Sequence, residues 1–147
     1  MDRDTHLISR VETFFQENAG RYHVGIALIY GSRAFGYARE DSDLDLAIVF
    51  SSNLSDEQVF ILVTQISMKL LDFLGMEVNI MPLYPDFRQP MLYYNAIIHG
   101  ILVYCDDFGN YVDLKLQALQ QMEDFRFFGI RWQMEVTQQN LEELNHG

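Results

Sequence analysis

The sequence predicts an α/β fold, a small mixed β-sheet flanked by helices, and three observations carry that expectation. Apolar residues recur at helical spacing in "HLISRVETFFQENAG" and again in "VFILVTQISMKLLDFLG". Short apolar runs, "HVGIALIY", "DLDLAIVF" and "ILVYC", have the length and character of buried strands. The first two end in turn-forming or polar residues, Gly31-Ser32 and "SSNLSD".

Taken in order, the chain opens with a helix capped at Asp4 or Thr5. Leu7, Ile8, Val11, Phe14 and Phe15 lie on one face, and the helix stops at Gly20. Two strands follow, joined by a connection of about a dozen residues that bears glycine and becomes charged at its end. Ser55 with Gln58 forms a capping box for a second helix, which runs to Gly75. "MEVNIMPLYP" alternates polar and apolar positions and meets Pro82 and Pro85, as a strand that ends early would. "FRQPMLYYNAIIHG" reads as a helix stopped at Gly100, before a fourth strand. Residues 110–144 suggest one or two helices with a break near Gly129.

The 147 residues suit a single domain with a real core, residues 1–147, whose C-terminal segment of about 110–145 is a candidate for binding a partner. A formal net charge of −11 works against an unaided grip on a phosphate backbone and favours cations or cationic partners, so no direct nucleic-acid ligand is expected. The lone Cys105 forms no internal disulfide, and "MDRDTHLISR" lacks the features of a signal peptide, which reads as a cytoplasmic protein. No apolar run approaches the roughly 20 residues of a membrane helix. The sequon at Asn53 is then accidental.

Chemistry concentrates in "GSRAFGYAREDSDLDLAIVF". Asp43 and Asp45 are separated by one residue on an expected strand, so both point to one side and can share a divalent cation. Gly31 lets the backbone approach a phosphate, and Ser32 can donate to its oxygens. A P-loop is excluded, because Tyr37 and Ala38 stand where a lysine and a hydroxyl residue belong. His23, His99 and His146 show no ligand spacing. Phe125, Phe127, Phe128 and Trp132 read as core first, and as a partner surface second.

Gly-Ser, ten residues, then Asp-x-Asp, with Ala34, Gly36 and "SDLDLAIV" from Ser42, resembles the DNA polymerase beta-like nucleotidyltransferase superfamily, in its minimal nucleotidyltransferase (MNT) branch. The resemblance covers most of the chain. It implies a polymerase-beta-like fold, Mg²⁺ held by Asp43 and Asp45, and ATP as substrate. Gly31, Ser32, Arg33, Arg39 and Ser42 would bind the nucleotide. Family members add a third carboxylate on the next strand; here "VN" puts Asn79 at that position, as a weaker ligand that takes no proton. Glu77, two residues earlier on the same face, is the candidate to supply the missing catalytic carboxylate. Phe35 is a second departure, where many relatives carry arginine.

Proteins of this branch and length resemble MntA-type antitoxins, which are paired with a HEPN-domain ribonuclease toxin and transfer AMP to a toxin tyrosine. That is the leading expectation. A catalytically impaired antitoxin that neutralises by binding, and a nucleotidyltransferase for a small hydroxylated molecule, are the alternatives.

Overall fold

The computed structural model describes residues 3–34 and 42–146. Helix α1 (Arg3–Asn18) leads into strand β1 (Val24–Tyr30), a single 3₁₀ turn (Gly31–Arg33) and strand β2 (Leu44–Phe50). Helix α2 (Asp56–Leu74), strand β3 (Val78–Pro82), helix α3 (Pro90–His99), strand β4 (Ile101–Cys105) and helix α4 (Phe108–His146) complete the chain. The sheet order is β3-β2-β1-β4. β1 is antiparallel to β2 and to β4, whereas β2 and β3 are parallel and joined through α2, so the sheet is mixed, as expected.

Strand alternation divides the core into two layers. Leu44, Leu46 and Ile48 of β2 join Val11, Phe14 and Phe15 of α1 with Ile66 and Leu70 of α2 on one face. Ala47 of β2, with Ile26 and Leu28 of β1, faces Tyr93, Ala96 and Ile97 of α3 and Tyr111 and Ala118 of α4 on the other. Each fully buried Leu or Ile contributes about 1.5–3 kcal/mol, so β1, buried over six of its seven residues and paired on both edges, is the most strongly anchored strand.

The α2 cap is as the sequence predicts: the Gln58 amide donates to Ser55 Oγ at 3.2 Å, and the Ser55 amide donates to Gln58 Oε1 at 2.9 Å. Gly75 closes α2 at φ 72°, a conformation that costs glycine nothing.

Four boundaries differ from expectation. α1 is already under way at Arg3, so Asp4 and Thr5 lie inside its first turn; acidic residues suit a first turn as well as a cap, and residue type does not separate the two. α1 also ends at Asn18, before Gly20. α3 begins at Pro90, not at Phe87, because the residue preceding a proline is driven out of the helical region: Gln89 adopts φ −133°, ψ 79°. α4 runs unbroken through Gly129, since one interior glycine costs about 1 kcal/mol relative to alanine, too little to interrupt a long helix. Among the described residues, no helix is long and apolar enough to cross a membrane.

Candidate active site

The site lies where β1 ends and β2 and β3 begin. Tyr30 pairs with Asp45 across the antiparallel β1–β2 ladder, and Asp45 pairs with Asn79 across the parallel β2–β3 ladder. Leu44 and Leu46 point into the α1/α2 layer, so alternation turns Asp43 and Asp45 to the opposite face, beyond the buried Ala47. Asp43 is exposed and Asp45 half-buried.

Asn79 joins the two carboxylates. Its Nδ2 donates to Asp43 Oδ2 and to Asp45 Oδ1, each at 3.3 Å, at the long end of hydrogen bonding. Carboxylates only accept, so the amide must present its NH₂ group and keep its oxygen turned away.

Gly31 meets Asp45 from the other side. It sits at φ +74°, and a Cβ built there would lie 2.5 Å from Asp45 Oδ2. Both the backbone conformation and the space therefore require glycine. The turn closes with the Ala34 amide donating to the Gly31 carbonyl at 3.1 Å, while the first amides of such a turn have no partner within it. Ser32 lies in that turn, partly exposed. Arg33 donates from its guanidinium to the Ser42 carbonyl at 2.6 Å, tying the turn to the residue just before Asp43. One of the expected phosphate-binding arginines thus also braces the site.

Glu77 is exposed, and its carbonyl accepts the Leu44 amide at 3.1 Å, which fixes the start of the β2–β3 pairing. Among the described residues, no group of three His, Cys, Asp or Glu side chains stands together as a metal site. Arg39, Phe35 and Gly36 lie outside the described residues.

One site residue escaped the sequence reading. Tyr30, half-buried, lies opposite Asp45 and packs with the α3/α4 layer; burial first, and the Asp45 charge second, raise its pKa above the ordinary 10.0. The signal was available, because the last residue of an apolar run before Gly-Ser must pair beside the first strand residues after the connection.

The donors present suit a hard divalent cation. Two carboxylates share one amide, and Asp45 Oδ2 faces the glycine turn, an all-oxygen set of the kind Mg²⁺ completes with substrate phosphates.

Comparison with known proteins agrees with this architecture. No curated protein matches the sequence. The fold is similar to a chain of a toxin–antitoxin crystal structure with AMP-PNP, at TM-score 0.62 and 16% identity, covering 88% of this chain and 94% of that one. It is similar also to a chain of the tri-AMPylated Shewanella oneidensis HEPN toxin in complex with an MNT antitoxin, at TM-score 0.61 and 12% identity, covering 86% and 95%. A chain of a MntA-HepT toxin–antitoxin structure matches at TM-score 0.60 and 12% identity, covering 88% and 96%. At these identities the likeness is one of fold. The family model for polymerase beta, nucleotidyltransferase, matches residues 10–109, which contain the glycine turn, both carboxylates and all four strands. The chain belongs to the polymerase beta nucleotidyltransferase family.

Proposed function

We propose that this chain is a cytoplasmic antitoxin that acts as a Mg²⁺-dependent adenylyltransferase, moving AMP from ATP to a tyrosine of a HEPN-domain ribonuclease toxin. The observation that carries the reading is the pair Asp43 and Asp45, bridged by Asn79 on one face, with Asp45 directly against the positive-φ turn at Gly31. Its support from outside the chain is the fold shared with partners of an AMPylated HEPN toxin.

Asp43 and Asp45 would hold the metal, which when bound neutralises phosphate charge and polarises the α-phosphorus. Gly31, Ser32 and Arg33, with Ser42 and Arg39, would place the triphosphate. The tyrosine oxygen bonds to the α-phosphorus as the bond to the bridging oxygen breaks and pyrophosphate leaves. The phenol proton passes to a carboxylate, since the Asn79 amide cannot take it; Glu77, two residues before Asn79, is the one proposed. The net charge of −11 suits docking to a cationic RNA-cutting partner, and the exposed half of α4 is the proposed docking element.

A second reading, neutralisation by binding alone, is favoured by one observation, the amide of Asn79 at the third position. Incubation with α-labelled ATP, Mg²⁺ and a HEPN ribonuclease encoded beside this chain separates the two. Transfer should add AMP masses to a toxin tyrosine, and Asp43→Ala with Asp45→Ala should reduce it by about a thousandfold or more while leaving the complex intact. A tight but unlabelled wild-type complex would establish the binder instead.

A further inference from the structure

Two carboxylates on adjacent same-face positions of one strand repel each other, and in a cation-binding site that repulsion is ordinarily relieved by the cation. Here the protein itself also places a hydrogen-bond donor between them. Asn79 Nδ2 carries two N–H groups, and it lies 3.3 Å from an oxygen of each aspartate. Asp45 is held from both sides, with Oδ1 toward Asn79 and Oδ2 against the Gly31 backbone, where no side chain fits. Tyr30 flanks the same carboxylate across the β1–β2 ladder and brings no positive charge.

We infer that Asn79 is a positioning residue: it clamps Asp43 and Asp45 and, among the described residues, adds no third carboxylate at position 79 to that pair, so that the divalent cation arrives joined to the triphosphate. The inference rests on the nucleotidyl-transfer reading above. Its physical basis is the charge count. Mg²⁺-type ions dehydrate reluctantly and are usually held by one or two carboxylates together with substrate phosphates. A third carboxylate at position 79 would add a full ligand charge and hold a bare cation. An amide adds none, and its N–H groups hold one oxygen of each aspartate while the remaining lone pairs stay open to the incoming cation.

Titration with Mn²⁺ followed by electron paramagnetic resonance, with and without a non-hydrolysable ATP analogue, tests this on the intact chain. The wild type should bind bare Mn²⁺ weakly, and about tenfold or more tightly with the analogue present. Asn79→Asp should raise bare-Mn²⁺ affinity by about tenfold or more and so reduce the dependence on analogue. Asn79→Ala should leave bare binding within about threefold yet weaken analogue-dependent binding several-fold, because the carboxylates are no longer held. Asn79 is exposed, so neither change threatens the core. Equal bare-cation affinity in wild type and Asn79→Asp, or a wild type that needs no analogue, would overturn the inference. Loss of AMP transfer to the toxin with this binding pattern intact would overturn the proposed function and leave the role of Asn79 standing.

Discussion

Gly31 shows how narrowly one residue can be specified. Its φ of +74° is costly for any residue with a Cβ, and a methyl group there would press on Asp45 Oδ2. Gly31→Ala should therefore lower stability by about 1–2 kcal/mol and displace the Asp45 carboxylate, the proposed metal ligand. Chemical denaturation and Mn²⁺-nucleotide binding, measured on the same samples, should show both losses. A variant that lost stability but bound normally would detach the turn from the proposed metal site. At this scale the sequence was legible where residue type and spacing are jointly restrictive: Gly31, Ser32, Asp43 and Asp45 could be named because few chemistries need that combination. Asn79 was visible only as a departure. That its amide reaches both aspartates depends on the β2–β3 register, which no local pattern encodes.

Among the elements, helices and strands with strong periodicity were readable to within a residue or two, and the capping box fixed the start of α2. The segment between β3 and α3 was not, because its structure is set by tertiary contacts. Arg88 pairs with Asp86 at 3.0 Å and Asp56 at 3.4 Å and lies 3.7 Å over the Tyr84 ring, pinning the segment to the start of α2. Beneath it, the buried Tyr93 hydroxyl donates to the Pro82 carbonyl at 3.2 Å and accepts from the Tyr84 amide at 3.3 Å. Burial is the main cause that raises the Tyr93 pKa above the ordinary 10.0; the Tyr84 amide opposes it and the Asp86 charge adds to it. The folded state thus keeps its proton to higher pH than the unfolded chain. The associated stability is complete below the unfolded pKa and is lost as pH rises through the folded one. Tyr93→Phe should cost about 1–2 kcal/mol at neutral pH. Its alkaline stability loss should be shallower than that of the wild type, as urea denaturation at about pH 8 and pH 11 will show.

At the scale of the molecule, α4 stands apart. Its 39 residues span about 58 Å, and among the described residues it joins the core in its first turns, through Tyr111 and Ala118. Farther along, Trp132 and Met134 are 57% and 67% exposed, so for Trp132 the core reading of the C-terminal aromatics does not hold; the side chains of Phe125, Phe127 and Phe128 lie outside what is described. If this half of α4 docks the toxin, Trp132→Ala with Ile130→Ser should weaken the complex by about tenfold or more, measured by calorimetry, with no change in thermal unfolding of the free chain. The pairing of Asp45 with Tyr30 and Asn79 has a wider reach. Strand faces alternate with a period of two, so a slip of β2 by one residue would drive Asp43 and Asp45 into the α1/α2 layer and bring Leu44 and Leu46 out to water. Misregistered chains would thus be removed by their own instability, and the hydrophobic core acts as the proofreader of the proposed catalytic centre.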